Sequence, residues 1–529
     1  MIKIARIVAA LTVALALGCA APPAERALRY RMPEDPPTLD PFRPADNNSN
    51  VYLYLVFDGL VEFQPGSTEV RPAVAESWTI SPDGLTYTFK LREGVRFHNG
   101  REVRSDDVVY SIRRALSPKS GSAKGDYFEA LRGKDAFWSG RSEELTGVAA
   151  PDSRTVVMTL EHPYGPFLTV LASEAGSIVP REVYDDPAKG YLRHPVGCGP
   201  YRFEAWTQGV SITLSRFPDH WKARPPGGVG RIVVRFLKSS TTAMEEYRAG
   251  NLDFTQELPP GQRGLVMKQL PDHFHNSPLL SIMYVGFNHA AGPFRDSILL
   301  RRAVSHAIDR QYIVRVLQQG KDTLATSLLP PGMLGHDPGR AGLVYDPDLA
   351  ARLLAEAGYP GGRGLPELIY RSNSTLAFER IAEKISTDLA AIGLKVRPDM
   401  SDFPAFLEAM STGSPEPPKA AIFRMTYFAD WPDTDNFVAT QFGTGALYNL
   451  GRLSNPDLDG LLDVARRETD TARREELYRQ ADTTLMQGAH LVPIYWYGED
   501  LLANPKIGNL KLSPLGSFGI PWEEVTLSE

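Results

Sequence analysis

Two opposite charges frame a short apolar and aromatic segment in the second half of the chain. Arg424 and Asp430 stand six residues apart. Six extended residues reach at most about 20 Å, so this guanidinium and carboxylate could hold a small molecule by its two ends if the chain bends at Ala429. Alternatively, the two charges are solvated or pair with each other, which contributes at most about 1 kcal/mol. The neighbouring candidates for a binding site are Met425, Thr426, Tyr427, Phe428 and Trp431.

Sequence motifs of common enzymes do not occur. There is no GxSxG elbow, HExxH pair, P-loop or CxxC, although spacing alone cannot decide a Ser and His arrangement. The histidines that we considered as metal ligands are scattered singly, at His98, His162, His194, His220 and His490. We therefore expect no catalytic residues, no metal site and no cofactor, and an exported hydrolase remains the less favoured alternative.

The first nineteen residues have the features of a secretory signal. Lys3 and Arg6 precede an apolar run that ends at Leu17, and Gly18 and Cys19 follow. The run of about a dozen residues is shorter than the roughly 20 needed to span a bilayer. Cys19 resembles the lipidated cysteine of bacterial lipoproteins, although the preferred leucine three residues earlier is an alanine. We predict a signal peptide over 1–18, lipidation of Cys19 and a tether over 19–27; the alternative is an ordinary signal with a chance cysteine.

Composition narrows the class of protein. Apart from Cys19, which is predicted to carry the lipid, Cys198 is the only cysteine, so we expect no intramolecular disulfide. The 57 Lys+Arg and 63 Asp+Glu give a net charge of -6, and loss of Lys3 and Arg6 with the signal leaves -8. This acidic balance argues against a nucleic acid partner. The length of 529 residues indicates more than one domain.

The apolar pattern changes near the middle of the chain. In the first half, alternation at Tyr87, Phe89 and Leu91 predicts a strand, and Ser105 is placed to cap a helix. From about residue 290, longer apolar stripes at helical spacing alternate with strands, as over 300–308. This order of helix, glycine and strand is typical of α/β layers.

Seven segments, in order over nearly the whole chain, resemble the bacterial extracellular solute-binding proteins of family 5, the dipeptide-binding and oligopeptide-binding proteins of ABC importers. Each segment alone is a weak signal, and their common order makes the resemblance specific. The segments are Pro37–Pro41, Phe57–Leu60, Val70–Leu116, Pro195–Phe203, Gly286–Arg310, Tyr345–Pro360 and Ala429–Phe437, the last reading ADWPDTDNF.

The resemblance implies an α/β, two-lobed periplasmic-binding-protein fold of type II, in its large cluster C form. Motif positions place lobe I at 28–280, with an extra subdomain at about 70–195, lobe II at 281–498, and a C-terminal return to lobe I at 499–529. The implied role is capture of dipeptides or oligopeptides in the cleft and delivery to ABC permease and ATPase subunits. Cys198 replaces the family's usual threonine, and we expect a packed thiol.

The resemblance also implies roles for individual residues. The first aspartate of the ADWPDTDNF motif, Asp430, would receive the peptide's α-ammonium, and Arg424 could meet a ligand carboxylate. The edge of the strand from Met425 to Phe428 could bind a peptide by strand addition, with Tyr427, Phe428 and Trp431 as apolar walls. Asp433 and Asp435 resemble the family's structural turn more than its site, and Asn436 is expected to cap or turn the backbone. Asn47–Tyr52 is expected to line the cleft from the first lobe.

We expect a monomeric, membrane-anchored lipoprotein at a periplasmic or cell-surface location, which is not an enzyme. Some relatives in the family bind nickel chelates, haem, opines or oligosaccharides. A non-peptide solute in the same transport role is therefore the main alternative.

Overall fold

The computed structural model describes residues 27–43, 47–186, 190–410 and 421–528. The predicted signal peptide, Cys19 and most of the predicted tether lie outside the described residues. Within these four ranges, no helix is both long and apolar enough to cross a membrane.

The elements are short strands and helices that alternate along the chain. The strands are β1 (Ala27–Met32), β2 (Val61–Phe63), β3 (Val70–Pro72), β4 (Ala75–Ile80), β5 (Thr86–Leu91), β6 (Val148–Asp152), β7 (Thr155–Thr159), β8 (Tyr201–Thr207), β9 (Ser211–Arg216), β10 (Arg231–Phe236), β11 (Phe254–Gln256), β12 (Phe274–Pro278), β13 (Ser281–Phe287), β14 (Thr323–Leu324), β15 (Leu368–Asn373), β16 (Val396–Ser401), β17 (Ile422–Phe428), β18 (Leu491–Trp496), β19 (Gly498–Ala503), β20 (Ile507–Gly508) and β21 (Thr526–Leu527). The helices are α1 (Asn47–Val56), α2 (Ser105–Ala115), α3 (Lys134–Trp138), α4 (Phe167–Ala172), α5 (Arg181–Tyr184), α6 (Ser240–Arg248), α7 (Arg263–Gln269), α8 (Ile298–Ala307), α9 (Arg310–Tyr312), α10 (Pro347–Glu356), α11 (Leu376–Ala391), α12 (Phe403–Met410), α13 (Thr434–Phe442), α14 (Pro456–Arg467) and α15 (Thr471–Gln487).

Two large sheets form the cores of two lobes. The first has seven strands in the order β12, β19, β11, β1, β10, β9 and β8, and the second has six in the order β14, β18, β13, β17, β15 and β16. Strand β1 is parallel to β10 and β11, and β15 is parallel to β16 and β17. Large hydrophobic side chains are buried around each sheet. The predicted α/β, two-lobed fold is confirmed.

A separate four-stranded sheet, in the order β4, β5, β7 and β6, belongs to the first lobe. The alternating residues Tyr87, Phe89 and Leu91 are buried, as the pattern predicted. Helix α2 begins at Ser105, but the prediction that Ser105 caps it is wrong. The Asp107 carboxylate accepts from the Arg104 backbone amide at 2.9 Å, whereas the Ser105 hydroxyl donates to the Asp152 carbonyl.

The longer helices of the second lobe follow the predicted apolar stripes. Leu300, Ala303 and Val304 are fully buried on α8. Asp346 caps α10 by accepting from the Leu349 amide at 2.8 Å. An N-terminal cap satisfies a backbone donor that has no partner within the helix, so these residues fix where the helices begin.

The chain crosses between the lobes at two neighbouring places. Strand β12 ends in the first sheet at Pro278 and β13 begins in the second at Ser281, while β18 and β19 meet around Tyr497. The Leu279 amide donates to the Tyr497 carbonyl at 3.0 Å. The two crossings therefore lie side by side, as a hinge between lobes requires. Cys198 is fully buried in the first lobe, as expected of a packed thiol.

Candidate functional site

Strand β17 places the two predicted charges at the cleft. Successive side chains of a strand point to opposite faces, so Arg424, Thr426 and Phe428 share one face. Met425 and Tyr427 lie on the other face, where they are buried in the core of the second lobe. Asp430 follows two residues after the strand ends.

Arg424 is a buried cation with neutral partners. Only 2% of its surface is exposed. Its Nε donates to Ser372 Oγ at 3.0 Å, and its other nitrogens donate to Thr426 Oγ1 and Asn373 Oδ1. The guanidinium carbon lies 3.8 Å from the Phe378 ring centroid. Within the described ranges no carboxylate forms an ion pair with Arg424, so its charge is available to an anion.

Asp430 is a carboxylate held by neutral donors. Its Oδ2 accepts from Tyr427 Oη at 2.9 Å and from Asn436 Nδ2 at 3.1 Å. The Asp430 amide in turn donates to Asn436 Oδ1 at 2.9 Å. Burial raises the pKa of the Asp430 carboxyl above its ordinary value, while the bonds from Asn436 and Tyr427 act to lower it. In the part of the chain that the structure describes, Asp430 forms no ion pair, with Arg424 or with another cation.

The first lobe faces Asp430 with aromatic rings and a buried ion pair. The Tyr127 ring packs on the Trp431 ring, with centroids 4.9 Å apart. Lys124 Nζ donates to Glu174 Oε1 at 2.5 Å and lies 4.5 Å from the Tyr127 ring centroid. Both charges act on Asp430, since Glu174 raises the pKa of its carboxyl and Lys124 lowers it. The carboxylate therefore sits at the meeting of the two lobes.

Sequence reasoning missed the contribution of the first lobe. Four of its residues approach the Asp430 region: Tyr54, Lys124, Tyr127 and Glu174. Glu174 also acts on Tyr54, raising the pKa of its hydroxyl in addition to the larger effect of burial. None of the four carries a motif, and they lie about 250 residues or more before Asp430. No pattern in a single sequence signals their approach.

The remaining predicted residues of β17 differ in exposure. Phe428 is 40% exposed and packs on Tyr497 at the crossing, with ring centroids 5.1 Å apart. Thr426 Oγ1 lies 3.1 Å from Tyr497 Oη. Trp431 is buried, and its indole N–H has no hydrogen-bond partner among the residues described. Phe428 thus presents an exposed aromatic ring, and Trp431 has an indole N–H donor without a partner among the described residues.

One backbone edge of β17 is open over most of its length. Strand β13 pairs with β17 from Ile422 to Phe428. On the other side, β15 pairs only at Ile422 and Phe423. Within the described residues, the edge from Arg424 to Phe428 has no strand partner, and its free amides and carbonyls could accept an extended chain.

The later aspartates of the motif are tied to arginines. Arg474 donates to both oxygens of Asp433, at 2.6 and 2.9 Å. Arg466 contacts Asp435 at 3.1 Å and, across the cleft, Glu129 at 3.4 Å. Both carboxylates are already paired with arginine side chains, in agreement with the structural role expected of them.

Two expectations concern residues near the site. Asn436 does bond to backbone, at Asp430, but its side chain also holds the Asp430 carboxylate. In α1, Val51 and Tyr52 are buried in the first-lobe core, and the role of Asn47–Tyr52 in lining the cleft stays a prediction. Tyr54, beyond that segment, reaches the site. Among the described residues, no three His, Cys, Asp or Glu side chains are grouped to hold a metal ion.

Comparison with known proteins gives consistent matches over most of the chain. The family described as "Bacterial extracellular solute-binding proteins, family 5 Middle" matches residues 69–449. Heme-binding protein A of Haemophilus influenzae is 32% identical over 87% of this chain and 85% of its own length. The dipeptide-binding protein of Escherichia coli is 28% identical over 83% of this chain and 82% of its own.

A solved structure agrees with these sequence matches. The periplasmic binding protein DppA of Helicobacter pylori, in complex with the peptide STSA, superposes with a TM-score of 0.77 at 26% identity. The match covers 96% of this chain and 99% of that protein. The similarity thus extends over both lobes and the crossings between them.

Proposed function

The chain belongs to the bacterial extracellular solute-binding proteins of family 5, and from that membership we propose that it binds short peptides at Asp430 and Arg424. It is the extracytoplasmic substrate-binding component of an ABC transporter. The observation that carries the peptide proposal is the Asp430 carboxylate, which is oriented by two neutral donors and faces the opposite lobe without a cation of its own.

The α-ammonium of a peptide is the cation that suits Asp430. An ammonium supplies three donors and a full positive charge, and the carboxylate has no ion-pair partner in the described residues. Tyr127 and Trp431 pack together beside it, and a ligand held between the lobes would exclude water there, which strengthens the attraction between opposite charges. Tyr427 and Asn436 fix the direction of the carboxylate. We expect the amino end of the ligand here.

The remaining groups suit the rest of a peptide. The open edge of β17 offers backbone partners from Met425 to Phe428, and Phe428 and Trp431 offer apolar contacts. Arg424 would attract a ligand carboxylate, because its own partners are neutral.

The first test identifies the ligand. Freshly purified protein is denatured, and the released molecules are identified by mass spectrometry; peptides are expected. Calorimetry then compares alanine peptides of two to five residues with their N-acetylated forms. Acetylation removes the ammonium, and we expect affinity to fall at least about a hundredfold, since an uncompensated buried charge costs about 3 to 5 kcal/mol. Equal affinity for both forms would contradict the role of Asp430.

The second test addresses Arg424. Arg424→Met should weaken binding of a peptide with a free C-terminus and should not weaken binding of the C-terminally amidated peptide further. Asp348→Asn, which changes an exposed charge on α10, is the control. If Arg424→Met weakens both peptides equally, the carboxylate role is wrong. Peptides recovered intact after long incubation would agree with binding without catalysis, and hydrolysis would contradict it.

A solute with a carboxylate and no ammonium is the second candidate, and the neutral surroundings of Arg424 favour it. Such a molecule would use Arg424 and leave Asp430 unpaired. The released fraction distinguishes the two proposals, because the second predicts molecules without an amine.

The proposed setting is a membrane-anchored monomer that delivers its ligand to permease and ATPase subunits. Lipidation at Cys19 would tether the protein to the membrane. The proposed domain division is lobe I at 28–280, lobe II at 281–498 and the C-terminal return to lobe I at 499–529. Cys19→Ser should release the protein from membranes, and continued partition into them would contradict the anchor. Light scattering should give the mass of one chain.

A further inference from the structure

A cavity in the first lobe lies beside the proposed peptide site. Its volume is about 80 Å³. About half of its wall surface is apolar, and most of its charged groups are acidic. Representative apolar lining residues are Leu53, Phe57, Val61, Phe63, Leu515 and Phe518. A space of this size holds a few water molecules, which a slender, unbranched side chain could replace.

The cavity adjoins Asp430 through two shared residues. Tyr54 and Glu174 line the cavity, and both belong to the group of first-lobe residues around Asp430. Tyr54 also packs on Phe518, with ring centroids 5.8 Å apart. The cavity is therefore placed for a side chain near the amino end of the ligand.

Acidic groups outnumber basic groups at the cavity. Its lining includes the carboxylates Asp58, Glu62, Glu174 and Glu523, and one guanidinium, Arg71. Glu174 is neutralised by its own lysine in the pair described above. The other three acids, Asp58, Glu62 and Glu523, have fewer cations around them than carboxylates.

Three cations pair with the three glutamates beside the cavity, Glu62, Glu523 and Glu524; one of them, Lys511, has its Nζ 3.9 Å from Glu524. Lys222 Nζ donates to Glu62 at 2.6 Å and to Glu523 at 2.8 Å. Arg71 donates to Glu62 and to Glu524, both at 2.8 Å.

The fourth carboxylate is Asp58, and among the described residues its only basic partner at bonding distance is a histidine. It accepts from Trp221 Nε1 at 2.7 Å and lies 2.9 Å from His220 Nε2. These four carboxylates and three cations have a net charge of -1 when His220 is neutral and 0 when it is protonated. Burial and the charges of Glu523 and Asp58 raise the pKa of Glu62, against the effect of Lys222, as expected where negative charge is in excess.

We propose that this cavity is a subsite for a long, positively charged side chain of the peptide, with apolar walls along the methylenes and Glu62 and Glu523 near the terminal cation. Lysine and arginine side chains have this form. The proposal rests on the proposed peptide-binding function. The network also fastens the C-terminal segment at Glu523 and Glu524 to the first lobe, so the test must separate binding from folding.

The experiment compares peptides that differ only in charge. The longest alanine peptide that binds is resynthesised with one lysine, or with one norleucine of similar length, at each position in turn. At one of the first positions, we expect lysine to bind at least tenfold more tightly than norleucine. Equal affinities at every position would overturn the subsite, while binding of the alanine peptide itself would leave the proposed function intact.

Variants assign the preference to the cavity. Glu62→Gln and Glu523→Gln should each lower the ratio of lysine to norleucine affinity at least threefold. Glu524→Gln is the matched control, because Glu524 binds Arg71 in the same network but does not line the cavity. An unchanged ratio in both test variants, with thermal melting like wild type, would overturn the proposal. If no alanine peptide binds at all, the proposed function and this subsite fail together.

Discussion

Two parts of one short segment use aspartate in opposite ways. At the turn after β17, Asp430 accepts from the neutral side chains of Tyr427 and Asn436. Three residues later, at the start of α13, Asp433 receives two bonds from Arg474. A carboxylate with a bidentate arginine has its charge satisfied, whereas one held by neutral donors remains an acceptor for a cation. The partner, more than the residue type, separates the binding group from the structural group.

The largest effect is expected from breaking the structural pair. Arg474→Met should lower the free energy of unfolding by about 3 to 5 kcal/mol, because it leaves the buried Asp433 carboxylate without its cation. Urea denaturation followed by tryptophan fluorescence measures this change. Arg473→Met is the control, since Arg473 is largely exposed and pairs with Glu468. A loss below about 1 kcal/mol would show that the two aspartates do not differ as described.

The converse effect is expected at the binding group. Asp430→Asn should lower affinity for the peptide at least about a hundredfold, while the free energy of unfolding changes by no more than about 1 kcal/mol. Calorimetry and denaturation on the same preparation measure both. A variant that loses stability but retains affinity would reverse the two assignments.

The pH dependence of binding sharpens the contrast. Burial raises the pKa of Asp430 in the free protein, and a bound ammonium favours the charged carboxylate. Affinity should therefore be greatest above this pKa and fall about tenfold for each pH unit below it. Titration calorimetry from pH 8 to pH 4 measures the profile, which should be absent in Asp430→Asn. The nearby charges of Glu174 and Lys124 shift the midpoint, and an identical profile in the variant would exclude Asp430 as its source.

The smallest effect is expected from the residue that orients Asp430. Asn436→Ala should lower affinity about threefold to tenfold and raise the pH midpoint of binding, because a donor that stabilises the charged carboxylate is lost. Asn436→Asp would place a second negative charge beside Asp430 and should raise the midpoint further. If Asn436→Ala lowers affinity without moving the midpoint, its role is limited to the backbone of the turn.

The fold was predictable where the signal is local or spans the whole chain. Alternation at Tyr87 and Phe89 and the stripe on α8 reflect the regular geometry of strand and helix. Capping depends on which donor reaches which acceptor, and the pattern at Ser105 did not contain that information. The two-lobed architecture was predicted from the order of the seven motif segments along the chain, and no single helix or strand would have predicted it.

The candidate site was only half predictable, for a physical reason. Arg424 and Asp430 stand within one recognisable segment, and their binding roles remain predictions. The neutral partners of Arg424 come from Ser372 and Asn373, which parallel pairing brings beside β17. Tyr127 and the other first-lobe residues arrive by folding of the whole chain. Contacts between segments that are far apart in the sequence produce no regular residue spacing, so a sequence pattern does not reveal them.

The contact between Tyr127 and Trp431 also has a consequence for the time a ligand stays bound. Because these rings pack together beside Asp430, we expect a ligand whose amine is held there to leave only when the lobes separate. Its dissociation rate then has an upper limit set by opening at the two crossings. Ligands of quite different affinity should approach that common limit on the dissociation rate. Their affinities would then differ mainly in how often a ligand rebinds in the open cleft before it diffuses away.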